Sequence, residues 1–172
     1  NMIDANMYWI PECLFTDEAL MEQFLKEIPE KFNWYGHCEE VPGSEGKKQV
    51  VLEKPKGSPN LNYVQGDYVF EKQLKDMDEA GVDIALLKVP GCHEWMCLEM
   101  CRLFNDGMYE HAKKSGGRMI PLAVVPPFGT PESLKELERC HWELGMNAVQ
   151  VSAHYGKTYL DDEIFAAFFE KV

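Results

Sequence analysis

Histidine and cysteine side chains cluster in one short stretch of the sequence. His93, Cys97 and Cys101 are spaced four residues apart, which places side chains on one face of a helix. Imidazole and thiolate groups are zinc ligands, so this cluster is one candidate metal site. The neighbouring residues Met96 and Met100 are apolar, and free cysteine is among the most frequently buried residue types. Packing in the core is the favoured interpretation, with zinc binding as the alternative.

Two further side chains that could do chemistry lie near the ends of apolar runs. Lys88 interrupts the run Val82–Val89, and His154 follows the run Ala148–Ser152. An ammonium group in this position can pair with the carboxylate of a substrate, or it can extend outward into solvent along its alkyl stem. Histidine can act as a general acid or base near neutral pH. The alternative for His154 is a loop residue that contacts no ligand.

Strand-like and helix-like segments alternate along the chain and must position these side chains. Apolar runs typical of buried strands are followed by segments with apolar residues at helical spacing. Strands are expected at 2–6, 82–89, 119–125 and 148–152, and helices at 17–28, 69–80, 94–114, 130–144 and 161–172. Thr16, Thr130 and Asp161 are the expected N-caps. This alternation predicts βαβ units and a parallel sheet, either open or closed into a barrel.

Residues 33–66 differ from this pattern. Two β-prone segments flank the turn-forming cluster Pro42–Gly46, which predicts a β-hairpin. Residues 54–66 are rich in proline, glycine and asparagine and are expected to form a loop. We therefore interpret 33–66 as a hairpin-and-loop insertion within a single domain that spans residues 1–172.

Composition restricts the class of function. The 172 residues carry 17 Lys and Arg against 29 Asp and Glu, a formal net charge of −12. Nucleic acids and anionic membrane surfaces are bound through basic patches, so neither is an expected partner. The sequence shows neither a signal-peptide pattern nor an apolar run of membrane-spanning length. Its six cysteines therefore indicate reduced thiols in a cytoplasmic protein.

Segments along most of the chain resemble the amidohydrolase superfamily. The similarity is to the decarboxylase branch, which contains aminocarboxymuconate-semialdehyde decarboxylase and the hydroxybenzoate decarboxylases. The matching segments are 3–12 (IDANMYWIPE), 73–83 (QLKDMDEAGVD), 117–126 (GRMIPLAVVP), 136–151 and 159–165. The resemblance implies a (β/α)₈ TIM barrel whose active site lies at the carboxyl ends of the strands. Such a barrel takes ~200–250 residues, so this chain is expected to supply about the first four βα units.

The resemblance also implies a divalent metal, often zinc, that activates water or holds a carboxylate substrate. In the family, both histidines of the first-strand motif Asp-x-His-x-His bind the metal, but this sequence reads Asp4-x-Asn6-x-Tyr8. An amide oxygen is a weak zinc donor, and tyrosine must ionise before it competes. The metal ligands are therefore unassigned, and the site is expected to hold a metal with fewer ligands or no metal. One interpretation is that Asn6 and Tyr8 form hydrogen bonds with the substrate. The alternative is that both result from sequence drift after the protein lost its metal.

These residues lead to two hypotheses. The first is an amidohydrolase-related decarboxylase or hydrolase of a small carboxylated aromatic or dienoic compound. In it, Tyr8 and His154 are the candidate catalytic residues, and Asn6 and Lys88 bind substrate. The second is a non-catalytic or degenerate half-barrel that binds or assembles with a partner subunit. The chain is expected to form a homo-oligomer or to associate with the other half of the barrel. That half would come from a longer chain or from another subunit. The remaining alternative is a fold that closes differently from that of its relatives.

Overall fold

A parallel sheet lies at the centre of the fold. The computed structural model describes the backbone of residues 1–172 and every side chain except those of residues 59 and 60. The sheet consists of β1 (Ile3–Tyr8), β5 (Ile84–Lys88) and β6 (Met119–Pro121), in that order.

A fourth parallel segment continues the sheet beyond β6. Ala123 forms a parallel bridge with Val149. The Ala123 N–H donates to the carbonyl of Ala148 at 2.9 Å, and the Ala123 carbonyl accepts from the N–H of Gln150 at 2.8 Å. Four parallel segments that follow one another in chain order form the first part of a (β/α) barrel, as the sequence predicts.

The described residues also form six α-helices. They are α1 (Cys13–Thr16), α2 (Glu18–Lys26), α3 (Phe70–Ala80), α4 (Leu98–Lys113), α5 (Pro131–Trp142) and α6 (Ala166–Phe169). One buried apolar cluster joins β1 and β5 to α2, α3 and α4, and it includes Phe24, Met77, Leu87 and Phe104. None of the described helices has the length and hydropathy needed to cross a membrane.

Two helix starts differ from the sequence prediction by one residue. Asp17, not Thr16, caps α2, because its carboxylate accepts from the N–H of Leu20 at 3.1 Å. Asp162, not Asp161, caps the 3₁₀ turn that leads into α6. Local hydrogen bonding decides in both cases, since each capping carboxylate reaches a nearby backbone N–H.

The helix predicted at 94–114 begins four residues late, at Leu98. Residues Cys92–Glu94 form a 3₁₀ turn, and Cys97 has an extended backbone. His93, Cys97 and Cys101 therefore do not share one helix face. No group of three or more His, Cys, Asp or Glu in the part of the chain that the structure describes could hold a metal ion. The zinc-site alternative for this cluster is therefore wrong, and Cys101 is buried in the core.

The insertion is a three-stranded antiparallel sheet. β2 (Tyr35–Glu40) pairs with β3 (Lys48–Glu53) as the predicted hairpin, and β3 also pairs with β4 (Pro59–Val64). The prediction of a loop over 54–66 is therefore wrong. Tyr63 shows why, because it is buried and its hydroxyl donates to the carbonyl of Pro90 at 2.9 Å. This tertiary contact overrides the low β-propensity of the segment.

Candidate active site

A cleft of about 330 Å³ opens where the central strands end. Tyr8, the last residue of β1, lies opposite Lys88, the last residue of β5, and both line the cleft. Gln150 and Val151 line it from the fourth parallel segment. These strand-end side chains converge because the carboxyl ends of parallel strands meet at one edge of the sheet. Active sites of (β/α) barrels are built at this edge.

The insertion covers one side of the cleft. Trp34 precedes β2, Lys54 follows β3 and Leu61 lies in β4, and all three line the cleft. The Lys54 Nζ lies 4.5 Å from the centroid of the Trp34 ring, within the range of a cation–π interaction. The insertion thus supplies apolar surface and a positive charge.

Glu94 connects the insertion to the strand ends. Its Oε2 accepts a hydrogen bond from Trp34 Nε1 at 3.1 Å and lies 3.8 Å from Lys54 Nζ. Its Oε1 accepts from Ser152 Oγ at 3.3 Å. The Glu94 side chain is only 16 % exposed, and a carboxylate so shielded from water requires partners of this kind.

Lys88 presents a cation to the cleft and has no acidic partner among the described side chains. Its Nζ lies 5.6 Å from the centroid of the Tyr8 ring. None of the ion pairs formed by the described side chains includes Lys88, whereas Lys54 is paired with Glu94. An ammonium group has three N–H donors, so Lys88 can bind an anionic ligand.

His93 contributes a neutral imidazole. Its Nδ1 is buried and has no hydrogen-bond partner among the described residues. Burial lowers the pKa of His93 to about 4, against the opposing effect of the Glu94 carboxylate and with a smaller lowering by Lys88. His93 is therefore uncharged at neutral pH, and its ring can still donate one hydrogen bond and accept another.

Buried amide side chains fix the backbone around the cleft. Gln150 Oε1 accepts from the Val89 N–H, and Gln150 Nε2 donates to the Val89 carbonyl, both at 2.8 Å. Gln73 Nε2 donates to the carbonyl of Tyr8 at 2.7 Å, and its Oε1 accepts from His111 Nε2 at 2.8 Å. These contacts hold the ends of β1 and β5 in position.

The structure brings together two of the four predicted site residues. Tyr8 and Lys88 line the cleft, but Asn6 and His154 do not. Asn6 is exposed in β1. His154 lies in a short hairpin of β7 (His154–Tyr155) and β8 (Thr158–Tyr159), where its Nδ1 donates to the carbonyl of Gly156 at 3.0 Å. The functional roles of all four residues stay predictions.

Glu94, Lys54 and Trp34 line the cleft but were not predicted as site residues, and His93 was considered only as a possible zinc ligand on α4. Gly91 could have placed His93 and Glu94 at the strand ends, because it separates the strand from α4 and places the next residues in a strand-end loop. The local sequence holds no comparable signal for Lys54 and Trp34. Their position depends on how the insertion folds over the strand ends.

The described residues do not form a metal site by themselves. The sequence resemblance predicts ligating histidines at the positions of Asn6 and Tyr8. No group of three potential ligands among His, Cys, Asp and Glu lies together among the described side chains.

The fold is that of about half of an amidohydrolase-type barrel. The chain is similar to 5-carboxyvanillate decarboxylase from Novosphingobium aromaticivorans, with 18 % identity and a TM-score of 0.66. The similarity covers 99 % of this chain and 47 % of that chain. It is also similar over 100 % of its length to dihydroxybenzoic acid decarboxylase from Polaromonas, with 19 % identity, a TM-score of 0.58 and 46 % coverage. Both structures contain bound manganese, so a divalent metal is consistent with this fold. The α/β class and the partial barrel are confirmed.

The sequence comparison leads to the same branch. A segment of 105 residues is 27 % identical to 2-amino-3-carboxymuconate-6-semialdehyde decarboxylase from Dictyostelium discoideum. This segment makes up 58 % of this chain and matches 29 % of that protein. No family model matches the chain. The resemblance to the decarboxylase branch of the amidohydrolase superfamily is confirmed. The chain spans about half the length of the solved structures it matches and less of the curated relative.

Proposed function

We propose that this chain forms the ligand-binding edge of an amidohydrolase-type decarboxylase or hydrolase that acts on a small carboxylated aromatic or dienoic compound. The main support is the position of Lys88, which lies at the strand ends beside Tyr8 and has no acidic partner among the described residues. A substrate carboxylate would pair with its ammonium group. The flat body of the substrate would pack against the rings of Tyr8 and Trp34.

The cleft residues would divide the work of decarboxylation. The carbon–carbon bond to the carboxylate breaks, carbon dioxide leaves, and a proton must reach the carbon that keeps the electron pair. Tyr8 is the candidate proton donor, and Lys88 would orient the carboxylate. Asn6 and His154 remain candidates for substrate binding and for acid–base chemistry, respectively, although they lie outside the cleft lining. Hydrolysis is the alternative reaction at the same edge of the sheet.

We propose that any divalent metal in the whole protein is held mainly by residues outside 1–172. Zinc is the ion that the sequence resemblance implies, and manganese is the ion bound in the two solved relatives. The amide of Asn6 and the phenol of Tyr8 are poor replacements for imidazole ligands. The chain alone should therefore bind zinc weakly or not at all, which metal analysis after dialysis can measure.

An assay of carbon dioxide release tests the proposed reaction. The protein would be incubated with 2,6-dihydroxybenzoate, a monocarboxylate named for a solved relative, with manganese, with zinc and without added metal. Turnover that is lost in Lys88→Met is the expected result. Failure of the protein either to bind or to convert any small aromatic carboxylate would contradict the proposal.

A second candidate function is a non-catalytic half-barrel that assembles with a partner subunit. The replacement of the first-strand histidines by Asn6 and Tyr8 favours it. Exposed apolar side chains also favour it, since Ile3 in the edge strand β1 is 60 % exposed and Trp142 at the end of α5 is 79 % exposed. Strand edges of this kind favour association with further strands, from a second copy or another subunit. Light scattering tests this, because a stable monomer of 19.8 kDa would count against assembly.

We also propose that the protein is cytoplasmic. All six cysteines are free thiols in the structure, and reduced thiols are typical of that compartment. Thiol titration of protein isolated under acid quench should then find the cysteines reduced.

A further inference from the structure

The described residues of the cleft carry a small excess of positive charge. Lys54 and Lys88 are cations, and Glu94 is the one carboxylate among the described lining residues. His93 is neutral at neutral pH, because burial lowers its pKa to about 4. The lining therefore contributes a single net positive charge.

Glu94 is held in place independently of Lys54. Trp34 Nε1 and Ser152 Oγ donate to its two different oxygens, at 3.1 and 3.3 Å. Its distance of 3.8 Å from Lys54 Nζ is longer than a hydrogen bond. Glu94 thus offsets the charge of Lys54 without using the N–H donors of that side chain.

We propose that Glu94 is a specificity-determining residue that makes the cleft select monocarboxylates over dicarboxylates. The inference rests on the proposed function, since it takes this cleft to be the substrate site. One carboxylate pairs with Lys88, whose charge is not offset by an acidic neighbour among the described residues. A second carboxylate directed at Lys54 would approach the fixed carboxylate of Glu94. Repulsion between like charges about 4 Å apart in a partly shielded site can change affinity by at least about tenfold.

A purely structural role for Glu94 predicts a different behaviour. If the residue only ties the insertion to the strand ends, its replacement would weaken the binding of monocarboxylates and dicarboxylates alike. Selectivity for the number of carboxylates separates the two roles, whatever happens to overall affinity.

Calorimetric titration with benzoate and isophthalate near neutral pH tests the proposal. In Glu94→Gln the amide can still accept from Trp34 and donate to Ser152, so the tie is kept while the charge is lost. Glu110→Gln is the matched control, because Glu110 is exposed on α4 and its replacement removes the same charge. The wild type should bind benzoate at least as tightly as isophthalate. Glu94→Gln should shift the ratio of the two affinities at least about tenfold toward isophthalate, and Glu110→Gln should leave the ratio unchanged.

An unchanged ratio in Glu94→Gln would overturn the proposal, and so would an equal shift in Glu110→Gln. A wild-type protein that binds neither probe would contradict the proposed function itself, and the inference with it. If circular dichroism shows that Glu94→Gln does not fold, Lys54→Met tests the same charge balance in the opposite direction. Its affinity ratio must then shift at least about tenfold toward benzoate, and no shift would overturn the proposal.

Discussion

At the scale of single residues, His111 is a group whose protonation the fold controls. It is only 7 % exposed, its Nε2 donates to Gln73 Oε1 at 2.8 Å, and its ring packs against Trp9. Burial lowers the pKa of His111 from its usual 6.5 to about 4, with Lys114 adding to the effect and Glu71 opposing it. Folding therefore favours the neutral imidazole.

Acidification should destabilise the protein through His111. Its pKa is lower in the folded than in the unfolded state, so the unfolded state takes up the proton first as the pH falls. The stability contributed by the neutral ring is present above about pH 6.5 and is lost as the pH falls toward 4. Over this pH interval, the free energy of unfolding of His111→Gln should therefore fall less than that of the wild type, by up to about 3 kcal/mol. Urea unfolding at neutral pH and just above pH 4 measures this, and equal losses in both proteins would contradict it.

Residue types alone indicated part of the cleft. Lys88 could be placed at a strand end, because apolar runs locate strands and strand ends locate barrel sites. Tyr8 was identified through the resemblance of the first-strand motif to that of the family. His93 was misplaced, since its spacing from Cys97 suits a helix face, whereas the backbone at Gly91 and Cys97 delays the start of α4. Its neutral state depends on burial by distant parts of the chain, which no local pattern encodes.

At the scale of elements, buried amides supply hydrogen bonds where the sheet ladder stops. Gln150 pairs with both backbone groups of Val89. Asn105 on α4 does the same at Val124, accepting from its N–H and donating to its carbonyl, both at 2.9 Å. The Asn105 amide also donates to Glu136 of α5 at 3.0 Å. Strands and helices are thereby joined through side chains that satisfy buried backbone groups.

Gln150→Leu should weaken the edge of the sheet that carries the cleft. Val89 is fully buried, so its N–H and carbonyl would lose their partners without access to water. We expect a loss of about 2–3 kcal/mol in the free energy of unfolding. Gln23→Leu, at an exposed position of α2, should change stability by less than about 0.5 kcal/mol. Similar effects of the two substitutions in urea unfolding would refute this role for Gln150.

Gly107 allows α4 to approach the end of β1. A Cβ atom at this position would overlap Cη2 of Trp9, which is buried. Gly107→Ala should therefore destabilise the protein by about 1–3 kcal/mol, although alanine has the higher helix propensity. The cost should be much smaller in a Trp9→Leu background. A double-mutant cycle measured by thermal unfolding checks this, and equal costs in both backgrounds would rule out the proposed steric contact.

Elements with local signals were predicted well, and elements that depend on distant contacts were not. Thr130 caps α5 by accepting from the N–H of Ser133, as expected. Gly81 ends α3 in a left-handed conformation, which glycine adopts readily. β4 was missed, because its strand pairing and the buried hydroxyl of Tyr63 depend on β3 and on Pro90. Tertiary packing decides the structure of such a polar, proline-containing segment.

At the scale of the whole molecule, the cleft forms where the parallel sheet meets the insertion. The strand ends supply Tyr8, Lys88 and Gln150, and the insertion supplies Trp34 and Lys54. The proposed anion-binding edge would therefore draw its residues from two distinct layers of the fold. The solved relatives are chains about twice as long as this one. Ligand binding by this chain can therefore be tested separately from turnover.

The most direct test is an NMR titration of the protein with 2,6-dihydroxybenzoate. The indole N–H of Trp34 is the best reporter, since it donates to Glu94 at the cleft. We predict saturable shifts of this signal and of the amides of Tyr8, Lys88 and His93, with affinity at least about tenfold weaker in Lys88→Met. Absence of saturable shifts, or shifts centred on the hollow between Trp142 and Val149 and unaffected by Lys88→Met, would contradict the assignment of this cleft as the carboxylate site.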